Sequence, residues 1–277
     1  MASKLRSSTG QKRALVAPST PTKQKIKELT FKSWDKFKAS ISETLFEGRG
    51  FMRGKYLFRG HSDPNWQLTS TFDRMFASRS KSERLLISSE MMQIFKRSLE
   101  SHEIAEEAKK DDGILLALGQ HYGLPTRLLD WTESPYIAAF FAYNSRVLLG
   151  VTDSQVAIWV LDTEHPIWSP QYGVEIVDVP TYGNRRIRNQ AGKFTLAKTP
   201  FASLEEYVQA HGDHGNPLQK ILIPASESAQ ALSDLDAMGI HHGSVYPEIE
   251  GAAQYALFRR VLNHHASVDT PNTPRPA

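Results

Sequence analysis

The sequence predicts an α+β fold, a mixed or split β-sheet flanked by helices. Short apolar strands mix irregularly with helices, whereas a doubly wound parallel sheet would show a regular strand–helix repeat. The chain has 277 residues, of which 40% are hydrophobic, so one domain can bury a full core. It has no cysteine, which excludes disulfides, thiolate nucleophiles and cysteine-bound metals.

The individual elements follow from apolar spacing and from turn residues. Trp34, Phe37 and Ile41 recur at helical spacing, and Gly123 with Pro125 just beyond it is a typical helix end. We predict helices at residues 32–45, 82–109 with a break near 101–102, 113–122, from Pro135 onward, 226–238 and 251–263. Strands are predicted at residues 56–59, 127–130, 156–161, 173–178, 194–196, 218–223 and 243–245.

The charge is divided unevenly along the chain. Residues 1–27 hold seven Lys or Arg and no acid, so the remainder carries 26 basic against 30 acidic residues, a net charge of −4. A segment rich in Ser, Thr, Pro and Lys buries too little surface to order itself. We therefore expect a disordered basic arm at residues 1–27, one domain at 28–264 and a disordered tail at 265–277. Attraction of nucleic acid or of an acidic partner and simple solubilisation explain the arm equally well.

Membrane insertion and secretion are not indicated by the sequence. No apolar run approaches the roughly 18 residues of a membrane-spanning helix, and the first residues lack the apolar region of a signal peptide. We expect a soluble protein of the cytoplasm.

The first chemical motif is Phe58-Arg59-Gly60, at the end of a predicted strand. The planar, always charged guanidinium of Arg59 suits phosphate or carboxylate, and Gly60 would let a ligand approach the backbone closely. A structural salt bridge is the more frequent reason for an arginine at a strand end.

Two further motifs offer hydroxyls and carboxylates. Thr132 and Ser134 lie at a strand-to-helix junction, where capping of the helix explains one hydroxyl and leaves the other unexplained. Glu248 and Glu250 precede a predicted helix, whose dipole alone accounts for about half of such acidic pairs.

Asp130 follows two leucines at the end of a strand that we expect to be buried. A buried carboxylate needs a partner, and Arg127, His121 and Arg59 are the candidates. A histidine near a helix end is more often a satisfied structural group than a base, so His121 and Asp130 are interpreted as a buried supporting network.

Two other functions stay open on the residues alone. A metal-independent nuclease or phosphoesterase would use His61, His121 and Arg59 on a phosphodiester. A noncatalytic nucleic-acid-binding module would depend on the basic arm, although the rest of the chain is net negative. The histidine pairs at 211 and 214 and at 241 and 242 lack a third ligand at a suitable spacing, so no metal site is predicted.

The motifs together resemble known families. Arg59, the hydroxyls at 132 and 134 and the late Glu-x-Glu resemble the motif series of the mono-ADP-ribosyltransferases. More closely, over about residues 30–262, the chain is similar to FRG-domain proteins. This similarity is carried by Phe58-Arg59-Gly60, the run QHYGLPTRLLDWT at residues 120–132, Gln190-x-Gly192-x-Phe194 and Tyr246-Pro247-Glu248. The middle motif reads Thr-Glu-Ser rather than Ser-Thr-Ser, and the family commonly has Asp where this sequence has Glu248 and Glu250.

The resemblance implies an ADP-ribosyltransferase-like fold and an NAD-dependent mono-ADP-ribosyltransferase, with NAD as substrate and no metal. Arg59 and Gly60 would hold the pyrophosphate or the ribose, and Glu250, or failing it Glu248, would stabilise the oxocarbenium ion. The nicotinamide side and the ring contacts would be supplied by Thr132, Ser134, Trp131, Tyr246 or Tyr182. Supporting residues would be His121, Asp130 and Arg127, and residues 188–190 would line the acceptor side.

The family context implies a toxin that acts in bacterial antiviral defence and has a neutralising antitoxin partner. The acceptor would be RNA or protein. The basic arm slightly favours single-stranded RNA, whose bases are accessible without flipping.

Overall fold

A computed structural model describes residues 26–47, 50–52, 54–102, 110–149, 153–179, 185–211 and 215–268. Within these ranges the chain is α+β, with a mixed seven-stranded sheet flanked by helices, which confirms the predicted fold class at that level. Nearly all of the predicted basic arm, Tyr182 and the last nine residues of the predicted tail lie outside the described residues.

The strands are short and their order in the sheet differs from their order in the chain. They are β1 (Lys27–Thr30), β2 (Phe46–Glu47), β3 (Gly50–Phe51), β4 (Tyr56–His61), β5 (Leu128–Thr132), β6 (Gln155–Asp162), β7 (Val174–Val177), β8 (Gly192–Ala197) and β9 (Leu218–Pro224). The large sheet has the order β1-β9-β6-β4-β5-β8-β7, while β2 and β3 form a separate hairpin. β1 and β9 pair in parallel, and the other paired strands are antiparallel.

Helices cover both faces of this sheet. They are α1 (Trp34–Leu45), α2 (Thr71–Met75), α3 (Lys81–Ser98), α4 (Asp112–His121), α5 (Pro135–Leu149), α6 (Arg185–Asn189), α7 (Leu204–His211), α8 (Ser228–Ala237), α9 (His242–Val245) and α10 (Ile249–Val268). One core cluster joins α1, α5, α8 and α10 to one face, and a second places α7 on the other.

The sheet is nearly interrupted between β4 and β5. A single residue pair, Phe58 with Thr132, joins these strands, whereas β4 and β6 pair over six residues from Tyr56 to His61. Beyond that pair the strands diverge, although they remain neighbours within one mixed sheet.

Helix α5 lies directly on β4 at Gly60. A Cβ added to Gly60 would lie 1.9 Å from the carbonyl oxygen of Ala138 and 2.7 Å from the nitrogen of Ala142. The side of Gly60 on which a Cβ would lie is therefore occupied by a helix, and this packing is sufficient to explain a glycine here. Of the aromatic residues of α5, Phe140 and Tyr143 are fully buried, whereas Phe141 is only partly buried.

A buried ion-pair triad joins α2 and α3 to the start of β5. Arg127 donates from Nε and Nη2 to the carboxylate of Asp73 at 3.2 Å each, and Nε of Arg84 lies 3.4 Å from the same group. The carbonyl groups of Pro200 and Phe201 accept further hydrogen bonds from the two arginines. Arg127 therefore pairs with Asp73, and it is excluded as one of the three candidate partners of Asp130.

Most predicted elements are confirmed within a few residues, and the errors fall on short ones. The helix predicted at 82–109 is confirmed as far as Ser98, and residues 103–109 lie outside the described part of the chain. The strand predicted at residues 243–245 is wrong, because this segment is helix α9, with Ser244 accepting a hydrogen bond from the His241 amide. Residues 188 and 189 lie on α6, a helix that was not predicted. Helices α2 and α7 and strands β1 to β3 were not predicted. Helix α10 runs four residues past the predicted domain boundary at 264.

Replacing Gly60 by Ala tests the contact between α5 and β4. We expect Gly60→Ala to lower the free energy of unfolding by about 3 kcal/mol or more, because neither backbone can yield easily. Chemical denaturation measures this change. Gly243→Ala is the matched control, since the nearest atom to its Cβ is a side-chain atom of His241 at 3.4 Å. Equal losses in the two variants would contradict the close approach.

Removing the shared carboxylate of the triad tests the buried charges. We expect Asp73→Asn to cost about 3–5 kcal/mol of unfolding free energy, because it leaves two buried arginines without an anionic partner. Asp112→Asn breaks a half-exposed pair with Lys96 and should cost less than about 1 kcal/mol. The interpretation fails if urea titrations give the same loss for both.

Candidate functional site

A cavity of about 420 Å³ opens where β4 and β5 diverge. Of the residues predicted for the site, eight line it, namely Arg59, Gly60, His121, Asp130, Trp131, Thr132, Gln190 and Tyr246. Six others, Arg127, Ser134, Arg188, Asn189, Glu248 and Glu250, are described but do not line it. The cavity therefore brings together residues that are up to 187 positions apart in the chain.

Arg59 occupies the gap between the two strands. Its Nη1 donates to the backbone carbonyl of Asp130 at 2.6 Å and lies 3.6 Å from the Asp130 carboxylate, and its Nε donates to His61 at 3.2 Å. Among the described residues Nη2 has no hydrogen-bond partner. Burial lowers the pKa of this guanidinium and Asp130 opposes that effect, so Arg59 is a cation held in a partly dry cleft.

His61 fixes the orientation of Arg59. The imidazole is buried and accepts the Arg59 hydrogen bond at Nε2, so the proton of a neutral ring is on Nδ1. Nδ1 lies 3.2 Å from the carbonyl oxygen of Trp66, which accepts that proton, and 3.3 Å from the indole nitrogen of Trp159. Burial, followed by the charge of Arg59, lowers the pKa of His61 to about 3. His61 is therefore neutral at physiological pH and positions the guanidinium rather than transferring a proton.

Asp130 lies at the edge of the cavity and is exposed, which corrects the expectation that it is buried. Its carboxylate accepts a hydrogen bond from Gln120 Nε2 at 2.7 Å, and the Gln120 carbonyl in turn accepts one from Thr126 at 2.5 Å. Of the three candidate partners, Arg59 is the one that contacts Asp130. His121 is exposed on the cavity wall, so the predicted buried network of His121 and Asp130 is wrong.

The two hydroxyls at the strand-to-helix junction both have structural roles. Thr132 is buried and donates to the carbonyl of Gln190 at 2.6 Å, while it accepts the amide of Ser134. Ser134 accepts the amide of Ile137 at 3.3 Å and so caps α5. Capping therefore explains Ser134, and the tie to the end of α6 explains Thr132.

Trp131 is not available as a stacking surface. The side chain is 3% exposed and its indole N–H donates to Thr195 at 3.0 Å on the neighbouring strand β8. Tyr246, the other predicted ring within the described residues, lines the cavity and packs against Phe141.

The two late carboxylates lie beside the cavity and share one arginine. Arg186 donates from Nε to Glu248 at 2.9 Å, its Nη2 lies 3.7 Å from Glu250, and its guanidinium lies over the ring of Tyr246 at 5.4 Å. Desolvation raises the pKa of Glu248, but hydrogen bonds from Arg186 and the backbone and the charge of Arg186 outweigh it, so this pKa is lowered. Gly251 lets α10 begin here, since its Cβ would lie 1.9 Å from the Tyr246 carbonyl oxygen.

Residues 54–147 match the FRG domain. The match supports the FRG-domain family and covers about a third of the chain, including β4 and the run at residues 120–132. Neither a curated protein nor a solved structure matches the chain.

The FRG segment supplies one half of the cavity. The hydrogen-bonded series from Thr126 through Gln120 and Asp130 to Arg59 lies entirely within it. The opposite half, with Arg186 and Tyr246, comes from residues after the FRG segment.

The sequence interpretation missed several cavity residues. Trp66 and Arg186 line the cavity but lie in no motif that was recognised, and Gln120 was quoted only as part of the long run. Residues 185–188 read Arg-Arg-Ile-Arg, and this basic cluster was the available signal for Arg186.

The described residues contain no group of three or more His, Asp or Glu side chains arranged to hold a metal ion. Among the same residues no helix is long and apolar enough to cross a membrane.

The neutral state of buried His61 predicts a pH dependence of stability. The unfolded chain binds a proton at His61 near pH 6.5 and the folded chain only near pH 3, so stability falls as the pH falls between these values. From pH 7 to pH 5 this group should lower the free energy of unfolding by about 2 kcal/mol. Denaturation of the wild type and of His61→Gln at both pH values isolates the effect, because other groups titrate in both chains. An identical decrease in the two chains would refute it.

Proposed function

We propose that this cavity binds NAD and that the chain is an NAD-dependent mono-ADP-ribosyltransferase. The observation that supports it best is the half-buried Arg59 guanidinium, which is oriented by His61 and Asp130 and has an unpaired Nη2. A preoriented arginine in a partly dry cleft suits a pyrophosphate, because planar bidentate hydrogen bonding is strongest there. The cavity volume of about 420 Å³ lies in the range of small-molecule sites.

The reaction would exchange one bond at the ribose. The bond between C1′ and the nicotinamide nitrogen breaks, nicotinamide leaves with the bonding electrons, and the acceptor nucleophile bonds to C1′ and loses its proton. Positive charge develops on the ribose, so a nearby carboxylate lowers the barrier. Glu248 and Glu250 are the candidates at the cavity edge, and the lowered pKa of Glu248 keeps that group ionised.

Arg186 would organise this half of the site. It contacts both carboxylates and the ring of Tyr246, so it restrains three side chains that belong to different parts of the proposed reaction. Asp130 would act through Arg59, by holding the guanidinium across the gap between the strands.

The state of His61 is the reason to prefer a transferase to a phosphoesterase. General acid–base catalysis on a phosphodiester needs a histidine that exchanges protons near neutral pH. His61 has a pKa of about 3, and its Nε2 lone pair accepts the hydrogen bond from Arg59. His121 lies on the cavity wall, but without His61 it does not form the pair of acid–base histidines that the phosphoesterase alternative requires.

A toxin that modifies a cellular macromolecule is the biological role proposed with this activity. Such a chain would need a neutralising antitoxin partner. Single-stranded RNA is the preferred acceptor and protein is the second choice.

Labelled NAD tests the activity directly. Purified full-length chain is incubated with labelled NAD and separate pools of RNA, DNA and cell-extract protein, and transfer and nicotinamide release are measured. We expect transfer to one pool and a loss of about 100-fold in Arg59→Ala and in either Glu248→Gln or Glu250→Gln.

Controls separate chemistry from folding. Arg259→Ala and Glu164→Gln remove surface charges away from the cavity and should keep full activity. Arg59→Lys keeps a cation at the gap, and thermal melts show which variants remain folded. Absence of both nicotinamide release and transfer in the folded wild-type chain would exclude the proposal.

A further inference from the structure

Trp66 is exposed where the other tryptophans are buried. All five lie in the described part of the chain, and Trp34, Trp131, Trp159 and Trp168 are at most 8% exposed. Trp66 is 56% exposed and lines the cavity. An exposed aromatic ring at the edge of a cavity presents a flat apolar face that the ring of a ligand can cover.

Trp66 and Arg59 are both held by His61, which lies between them. Its amide donates to the carbonyl of Asp63 at 3.2 Å, and its own carbonyl accepts the Nδ1–H of His61. The two rings meet edge to face at 6.0 Å. One histidine therefore contacts the partly buried guanidinium of Arg59 on one side and the exposed ring of Trp66 on the other.

The surroundings of the cavity offer cations to a polyanion. Arg185 and Arg188 are exposed on α6 on either side of cavity residues Arg186 and Ile187, and neither has an ion-pair partner among the described residues. Arg74 is close enough for its charge to act on Arg59. The chain after residue 27 has a net negative charge, so these arginines form a local basic surface that differs from the rest of the chain.

We propose that Trp66 stacks on an unpaired base of the acceptor, which makes the acceptor a single-stranded nucleic acid. This inference rests on the proposed function and assigns its acceptor class. A base covers an indole face whatever its sequence, and exposed arginines neutralise the adjoining phosphates. A duplex does not fit, because its bases are already stacked and paired.

Binding of short labelled oligonucleotides tests the platform. Fluorescence anisotropy of the full-length chain is measured with a single-stranded RNA 12-mer, with DNA of the same sequence and with the RNA duplex. Trp66→Ala should weaken single-strand binding about tenfold, and Trp66→Phe should retain most of it. Tyr172→Ala is the matched control, since Tyr172 is 45% exposed and does not line the cavity.

The outcomes separate the acceptor from the chemistry. Loss of affinity in Trp66→Ala but not in Tyr172→Ala supports the inference, and the RNA and DNA arms identify the kind of strand. Affinity unchanged in Trp66→Ala, equal binding of the duplex, or labelling of protein independent of Trp66 would overturn it. Nicotinamide release by the wild-type chain without nucleic acid is measured separately. Its absence beside Trp66-dependent binding would reject the transferase and keep the nucleic-acid surface.

Discussion

The hydrogen bond from Arg59 to the backbone carbonyl of Asp130 bridges two strands that their own backbones leave apart. Because β4 and β5 share one residue pair, the sheet would otherwise end in two edges facing an open gap. The side chain of Arg59 replaces the backbone hydrogen bonds that are missing there, and the remaining gap forms the cavity. The candidate site therefore exists because the sheet is incomplete, and the charge that closes the gap is also the charge to which we assign a ligand in the proposed function.

Three successive residues of β4 each contact a different neighbouring element. Arg59 bridges to β5, Gly60 receives helix α5, and His61 fixes Arg59 while it holds the backbone of Trp66. The opposite wall depends on a second small cluster, in which Arg186 restrains the late carboxylates and Tyr246. Each wall thus carries one arginine whose position is set by a hydrogen-bonded neighbour.

Regular spacing predicted the regular parts of this fold, as the apolar run that became β6 and the helical repeat that became α1 show. Motif resemblance located Arg59 and the run at residues 120–132. Neither approach predicted which aspartate pairs with Arg127. Asp73 and Asp130 have the same side chain, and only the tertiary structure brings Asp73 to Arg127 and Asp130 to Arg59. Trp66 and Arg186 were missed for the same reason, since exposure beside a cavity and a shared ion pair are properties of the folded chain. Helix α9 was missed because four residues are too few to show a period.

The two glycines at which backbone meets backbone restrict how this chain can drift during evolution. Alanine is the smallest change open to Gly60 or Gly251, and at both positions its methyl carbon would come within 2 Å of a carbonyl oxygen. Even the smallest substitution is therefore strongly disfavoured at these two glycines, whether or not a ligand binds. A glycine shared among relatives at position 60 would therefore reflect the packing of a helix on a strand, independently of the role that we propose for its neighbour Arg59.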